Sequence, residues 1–219
     1  MNLKEIIEAT LIELDRGTEA DTVTMYGKKF TMYANEAVNE IARRFKACVV
    51  DVTQLTGDDY PGFDITTSDF SHKCKRITRI FPATYTDLGG GSFSVTTHFD
   101  RKPYEFSQFV HGAPFIHVWG NGVKAGDYVA VEYLYVPNPM SAASLTNVAP
   151  LLPDSPDLPE HLHPLIPLYV RAREQCGQDP STQGTANTFF ALFNQAVRNL
   201  QRETMGTPDS FRLDGYHFD

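Results

Sequence analysis

The sequence predicts an α+β protein in which a four-helix bundle-like domain is interrupted by an inserted antiparallel β sandwich or barrel. Apolar residues recur at helical spacing near both ends of the chain, and short β-rich segments separated by turn residues lie between them. The helical pattern resumes after this β-rich block, so we interpret the block as an insertion. The expected boundaries are residues 1–48 and 157–203 for the helical domain, 49–140 for the β domain, 141–156 for a linker and 204–219 for a C-terminal extension.

The first predicted element is a short amphipathic helix. Asn2 can cap its N-terminus, and the helix is expected to end near Arg16 and Gly17, because glycine commonly follows the last turn. Its apolar stripe comprises Leu3, Ile6, Ile7, Leu11 and Leu14. The next residues, Thr18 to Lys29, predict a polar loop with one candidate short strand, Thr22 to Tyr26.

The central helix is predicted from Thr31 to Cys48. Its apolar side chains recur every three or four residues, at Ala34, Ala37, Val38, Ile41, Ala42 and Phe45. Its acidic residues come early and its basic residues late, which complements the helix dipole, and Glu40 forms a favourable four-residue pair with Arg44. A helix with one apolar face needs apolar partners, and we expect the last helix of the chain to be its partner.

The residues beyond Ala47 change to a β pattern. Val49, Val50 and Val52 are β-branched and predict a first strand. Six further candidate strands follow, at Phe63–Thr67, Cys74–Phe81, Ser92–Phe99, Tyr104–Val110, Pro114–Trp119 and Tyr128–Val136. Turns rich in glycine, or containing proline, separate several of them. Short strands at this spacing are typical of a small antiparallel sandwich or barrel.

Helical periodicity returns after a connector rich in proline, serine and alanine. Pro164 and Pro167 interrupt the third helix, so we expect its regular part to begin only at Pro164, after a 3₁₀ or irregular lead-in. The last helix has the strongest apolar stripe in the chain, at Ala186, Phe189, Phe190, Phe193, Ala196, Val197 and Leu200. Aromatic residues in the C-terminal extension leave three interpretations open, namely packing on the protein itself, docking on a partner, and disorder.

Composition argues against several functional classes. The formal net charge of -8 argues against a general binder of nucleic acid or of anionic membranes. The apolar runs fall short of the ~20 residues that a membrane-spanning helix needs, and the charged first residues are unlike a signal peptide. Cys48, Cys74 and Cys176 are widely separated and lack any C-x-x-C spacing, so we expect reduced thiols in a cytosolic setting.

No pattern in the sequence predicts catalysis, a cofactor or a metal site. A Walker-type phosphate loop and a nucleophile-elbow serine are both missing from the sequence. His161 and His163 lack the companion residues of a metal site, and we interpret them as surface or helix-capping residues. Asp58 and Asp59 are interpreted as part of a solvated loop, with paired carboxylates for glycoside hydrolysis as the alternative.

Two stretches match a known pattern of helices. The opening LKEIIEATLIELDR is followed by a helix of the form Y-x-N-E-A-x-x-E-I-A-R-R, which matches at Tyr33, Asn35, Glu36, Ala37, Glu40, Ile41, Ala42, Arg43 and Arg44. A β-rich block from Lys75 to Leu134, the lead-in Leu158–His161 and the Phe-rich helix Asn187–Gln201 follow in the same order. This order of parts, over nearly the full chain, resembles the head–tail connector (adaptor) proteins of tailed bacteriophages.

The resemblance implies a structural virion protein rather than an enzyme, and no cofactor. Copies would form a ring, expected to be dodecameric, that lies below the portal, extends the DNA channel and joins the head to the tail. The implied partners are the portal protein, further tail or adaptor proteins, and other copies of this chain. Genomic DNA would pass through the channel without sequence-specific binding, and no membrane would be involved. The protein would be made in the cytoplasm of the bacterial host and reside at the head–tail interface.

Two sets of residues are candidate contacts under this hypothesis. Arg43 and Arg44 are expected either to be the solvated end of a helix or to contact the ring or channel. The side chains expected to dock on the portal or on a neighbouring subunit are Phe211, Leu213, Tyr216 and Phe218. Two alternatives stay open: another ring component of the tail, such as a tail-tube or tail-completion protein, and a carbohydrate-binding or hydrolytic virion domain carried on the β block.

Overall fold

The computed structural model describes residues 1–57, 59–89, 92–107, 114–145, 154–176 and 183–205. Within these residues the protein is α+β, with four α-helices and antiparallel β-sheets, which confirms the predicted class. The chain forms two compact units. The helical unit consists of residues 1–45 and 137–219, and the β unit consists of residues 46–136.

The first helix, α1 (Leu3–Glu13), begins at a capping box, as the cap prediction at Asn2 requires. The Oδ1 atom of Asn2 accepts a hydrogen bond from the backbone N–H of Glu5 at 2.9 Å, and Oε2 of Glu5 accepts one from the backbone N–H of Asn2 at 2.9 Å. The face that α1 buries comprises Leu3, Ile6, Ile7, Thr10 and Leu11. The apolar stripe read from the sequence is therefore the buried stripe, apart from its last residue.

The second helix, α2, spans Ala20–Phe45 and is 26 residues long. The prediction of a polar loop with a short strand between Thr18 and Lys29 was therefore wrong, because α2 already includes most of that segment. Gly27, which breaks the apolar stripe in the sequence, is buried on the inner face of α2. A Cβ atom at this position would lie 2.7 Å from Cδ1 of Leu145, so the missing side chain leaves space for a neighbouring segment.

The third helix, α3 (Leu165–Gln175), follows a 3₁₀ turn at Glu160–Leu162, and Pro164 occupies its N-cap position. Pro167 lies in the first turn of α3, where a backbone N–H has no acceptor within the helix and its absence costs little. This confirms that regular helix begins only after Pro164, with a 3₁₀ lead-in. The fourth helix, α4, spans Gln183–Met205.

Helix α3 is the element that joins the helical unit together, because it packs against α1, α2 and α4. Tyr169 of α3 contacts the rings of Phe190 and Phe193 of α4, with centroid distances of 5.7 and 5.3 Å. The main partner of α4 is thus α3 and not α2, contrary to the pairing expected from the sequence. These contacts do not establish a four-helix bundle, and that finer arrangement stays a prediction.

A segment that we call the strap, residues 137–145, runs along α2. The side chain of Asn35 bonds both backbone groups of Met140: Nδ2 donates to the carbonyl at 2.9 Å, and Oδ1 accepts from the N–H at 2.9 Å. At the other end of the strap, Leu145 lies against Gly27. Asn35 and Gly27 thus hold the strap against α2 at two points.

The β unit contains two antiparallel sheets within the described residues. The first sheet has the order β1 (Cys48–Gln54), β7 (Tyr128–Val136), β3 (Lys73–Gly89) and β4 (Ser92–Thr97). The second has the order β2 (Gly62–Asp64), β6 (Phe115–Trp119) and β5 (Glu105–Phe106). One apolar core receives side chains from both sheets, including Ile80 and Val131 from the first, and Phe63 and Ile116 from the second.

Candidate interaction surfaces

The C-terminal end of α2 carries a compact ionic cluster. Arg43 binds the carboxylate of Glu40 with two nitrogens, Nε at 3.0 Å from Oε2 and Nη2 at 2.8 Å from Oε1. Arg44 binds the same carboxylate, with Nε at 2.6 Å from Oε1. The hydrogen bonds from Arg43, followed by those from Arg44, hold the pKa of Glu40 below its usual value. Both basic residues of the sequence motif therefore share one acid.

The two arginines nevertheless have different roles. Arg44 also donates from Nη1 to Oδ1 of Asn194 at 2.6 Å, and its guanidinium lies 5.2 Å from the ring centroid of Phe193. It therefore ties the end of α2 to α4. The side chain of Arg43 is 63% exposed, and it is available to a neighbouring molecule although it is paired with Glu40.

Other residues of the matched motif also make contacts inside the helical unit. Glu36 binds Nε of Arg173 on α3 at 2.9 Å. The guanidinium of Arg173 lies 5.6 Å from the ring centroid of Tyr33, and Nζ of Lys29 lies 5.8 Å from the same centroid. With Asn35 holding the strap, the motif residues on α2 position α3, α4 and the strap around this one helix.

A buried carboxylate adds a further link between the helices. Glu174 of α3 is 1% exposed, and its two oxygens lie 3.3 Å from Nη1 of Arg16 and 2.7 Å from Nζ of Lys29. Arg16 follows α1 and Lys29 belongs to α2. Because a buried carboxylate is costly without cationic partners, this cluster fixes how α1, α2 and α3 meet.

An open groove of about 620 Å³ lies beside the middle of α2, between the helix and the strap. Its lining is Lys28, Thr31, Met32, Asn35, Glu36, Asn39 and residues 139–142. Met32 is 52% exposed, and Met25, seven residues earlier on the same helical face, is 68% exposed. Exposed methionines are flexible apolar contacts, so this face of α2 suits association with another protein surface better than recognition of a small polar ligand.

A serine, a histidine and an aspartate also meet in the β unit, which requires a test of the hydrolytic alternative. The Oγ atom of Ser71 lies 2.8 Å from Oδ2 of Asp51 and 2.8 Å from Nδ1 of His72. In a catalytic triad the histidine stands between serine and acid, whereas here the serine does. The same Asp51 oxygen also accepts from the hydroxyl of Tyr133, whose pKa is raised chiefly by burial. We interpret this set as a structural hydrogen-bond network.

The cysteines and histidines considered in the sequence analysis lie at the following places in the structure. Cys48, Cys74 and Cys176 are free thiols. His163 occupies the C-cap position of the 3₁₀ turn, but its side chain is buried rather than on the surface: it is 4% exposed, and its ring nitrogens lie within hydrogen-bond distance of the carbonyl of Leu158 and the N-terminal amine. Among the described residues, no group of three or more His, Cys, Asp or Glu side chains is placed to hold a metal ion.

Two further results concern the predicted contacts. The apolar residues of the extension, Phe211, Leu213, Tyr216 and Phe218, lie outside the described residues, as does Asp58. No helix in the described part of the chain is long and apolar enough to cross a membrane.

The anchoring role of Asn35 was not predicted from the sequence. The position of the strap along α2 depends on contacts between residues about a hundred positions apart, and such contacts leave no local pattern.

Comparison with known protein families gives a match over nearly the whole chain. A family model described as SU10 adaptor protein matches residues 1–212, a range that includes every residue the structure describes. No curated protein matches the chain. The matched range includes all the motif residues on α2 and the residues of α3 and α4 that they contact.

Proposed function

The chain belongs to the SU10 adaptor protein family, and we propose on this basis that it is a structural protein that joins the head of a bacteriophage to its tail. The match to residues 1–212 is the observation that carries this proposal. The function is taken to be structural rather than catalytic. The protein would be made in the cytoplasm of the bacterial host and would reside in the virion.

The finer part of the proposal is a ring of copies, expected to number twelve, that lies below the portal and extends the DNA channel. Ring contacts are heterologous, because one face of a subunit meets a different face of the next. The exposed methionine face of α2, with Met25 and Met32, supports such a contact on the helical unit. A net charge of -8 supports a channel through which DNA moves without strong phosphate binding.

We further propose a division of roles between the two units. The helical unit would form the wall of the ring, since its helices are held together by α3 and by the ionic contacts of α2. The β unit, as an inserted domain, would offer a surface to further tail proteins. Residues 204–219 would form the docking extension, with Phe211, Leu213, Tyr216 and Phe218 as anchors on the portal or a neighbouring subunit.

The first experiment is quantitative mass spectrometry of purified phage particles, scaled to the copies of portal protein. A one-to-one ratio, which is lost in tail-less heads that leak DNA, is the expected result for a connector. If the protein were absent from particles, the structural proposal would fail.

The contact proposed for the extension can be tested by deleting Thr204–Asp219. The deletion should leave the circular dichroism spectrum and the melting temperature of the isolated protein close to those of the full chain, because it removes only the last two residues of α4, Thr204 and Met205, from the described part of the helical unit. Attachment to portal-containing heads should be lost. Normal incorporation of the shortened protein into particles would refute the proposed docking role.

The contact proposed for Arg43 requires a variant that changes the charge without disturbing the fold. Arg43→Gln should reduce assembly on heads while leaving the melting temperature near that of the parent, since this side chain is largely exposed and glutamine places no like charge beside Glu40. Arg198→Gln, at an exposed position on α4, is the matched control. Equal assembly of both variants would remove Arg43 from the proposed interface.

A further inference from the structure

The outward face of the second sheet carries a row of aromatic side chains. Along β6, Ile116 and Val118 are buried in the core, so the alternate residues Phe115, His117 and Trp119 point to the opposite face. Phe115 is 37% exposed and Trp119 is 47% exposed. Tyr60, which precedes β2, is 68% exposed and lies beside His117. We call these four residues the aromatic row.

The four rings form one continuous surface. The ring of His117 lies 5.1 Å from that of Phe115, 6.4 Å from that of Trp119 and 6.1 Å from that of Tyr60, measured between centroids. Gly62, which is paired with His117, leaves space for this arrangement. A Cβ atom on Gly62 would lie only 2.5 Å from Cε1 of Phe115 and 2.3 Å from the carbonyl oxygen of Ile116.

The aromatic row has a carboxylate at each end. Asp64 on β2 is paired with Phe115, and Glu105 on β5 is paired with Trp119, so both acids share the outward face with the rings. Hydrogen bonds from the hydroxyl and the backbone N–H of Thr66 lower the pKa of Asp64, which favours its ionised form. The two acids lie on opposite sides of β6, about 13 Å apart along the strand direction and about 10 Å apart across the sheet, so their backbones are about 16 Å apart.

Large aromatic side chains that stay exposed in a contiguous group commonly mark an interface. Here the acidic ends restrict the type of partner. A cationic side chain can lie on an aromatic face and pair with an adjacent carboxylate, so both features favour arginine or lysine. A glycan could also stack on these rings, but a neutral sugar carries no charge to complement the two acids.

We propose that the aromatic row is a docking surface for an extended segment of another virion protein that carries two basic side chains four residues apart. In an extended chain, residues at this spacing lie on one side and are separated by about 13 Å, and the long side chains of arginine or lysine span the remaining distance to acids about 16 Å apart. This inference rests on the proposed function only in taking the partner to be a virion protein. The chemistry of recognition depends on the β unit alone.

Binding can be measured directly, because Trp119 is the only tryptophan of the chain and its fluorescence reports on the aromatic row. The probe is a heptapeptide of sequence TRTVTRT, with a control in which both arginines are glutamine, and cellohexaose as the sugar probe. Full-length protein should show a saturable change in emission with the arginine peptide. Glu105→Gln should weaken this binding about three- to five-fold, whereas Glu203→Gln on α4 should not change it.

Three results would overturn the proposal: no binding of the arginine peptide, equal binding of its glutamine control, or binding of cellohexaose alone. The last of these would favour a carbohydrate site. In assembled phage, a photo-crosslinking benzoylphenylalanine at position 115 should capture one other virion protein, and the same group at position 85 should not. A chain that is incorporated into particles but yields no crosslink from position 115 would refute the docking surface and leave the adaptor function intact.

Discussion

Replacing Asn35 by alanine should destabilise the helical unit by about 2–3 kcal/mol. The change removes both hydrogen bonds to Met140 and leaves the backbone N–H and carbonyl of that residue without their partner. Met140 is 6% exposed, so water cannot readily replace the lost bonds. The better helix propensity of alanine would return at most about 0.7 kcal/mol, which is smaller than the loss.

Asn39 provides a matched control one turn later on the same helix. Among the residues that the structure describes, its side chain donates only to the backbone carbonyl of Asn35, at 2.9 Å, and the residue is exposed. Asn39→Ala makes the same chemical change with the same gain in propensity, so its stability should equal or slightly exceed that of the parent. Asn35→Asp should be at least as harmful as Asn35→Ala, because its carboxylate keeps the acceptor for Met140 but faces the Met140 carbonyl without a donor.

The assay is urea denaturation followed by circular dichroism at a helical wavelength, combined with hydrogen exchange at the Met140 amide. We expect Asn35→Ala to lower the midpoint and to accelerate exchange at Met140, and Asn39→Ala to change neither appreciably. If the two alanine variants unfold at the same urea concentration and Met140 stays protected in both, the strap does not depend on Asn35.

Three further predictions concern charge and reactivity. Arg44→Ala should cost about 2 kcal/mol in the urea assay, since it breaks the charged hydrogen bond to Asn194 that links α2 to α4 and a second one to Glu40 within α2. Arg43→Ala should leave the midpoint nearly unchanged. The pKa of Glu40 is lowered in the folded state, so its ionised form stabilises the fold. This stabilisation should be complete above about pH 4.3, the ordinary pKa of glutamate, and should be lost as the pH falls below that value. In acid titrations, Glu40→Gln should weaken the dependence of stability on pH. At pH 8, iodoacetamide should label the exposed Cys176 at least about tenfold faster than Cys74, because burial raises the pKa of Cys74 to about 11. Similar labelling rates for the two thiols would contradict the raised pKa of Cys74.

The second helix shows most clearly what the sequence could and could not predict. Its C-terminal half was predictable because Ala34, Val38 and Ile41 follow a strict helical stripe. Its N-terminal half was not, because the buried position of Gly27 looks like a loop signal in the sequence. Glycine is favoured at this position because the side chain of Leu145, more than a hundred residues further along the chain, occupies the space that a Cβ atom would need. A long-range contact of this type leaves no local pattern.

The third helix shows the opposite case, in which local chemistry was sufficient. Proline restricts its own backbone and that of the residue before it, so Pro164 predicted the helix start within one residue. The partner of α4 was not predictable, because an apolar stripe shows that a helix must be covered but does not identify the covering helix. In the structure the covering helix is α3, whose Tyr169 contacts the rings of Phe190 and Phe193.

The aromatic row was likewise beyond prediction from the sequence. The sequence predicted a strand at Pro114–Trp119 but did not indicate which of its two faces would be exposed. The exposure of Trp119 depends on strand register, because Ile116 and Val118 face the core and therefore turn the alternate residues outward. The acids at the ends of the row also acquire their positions from pairing across strands. Register, rather than composition, creates this candidate site.

The exposed apolar side chains discussed above are methionines on the helical unit and aromatic rings on the β unit. This difference favours a different binding partner for each of the two surfaces. Methionine is flexible and adapts to many surfaces, whereas aromatic rings have fixed shapes and favour defined partners. We therefore expect Met32→Asp to impair association between copies while leaving peptide binding at the aromatic row unchanged. Analytical ultracentrifugation of the protein assembled with portal rings would measure the first effect, and Trp119 fluorescence the second. If Met32→Asp abolished both, the two surfaces would not be independent and the division of roles would be wrong.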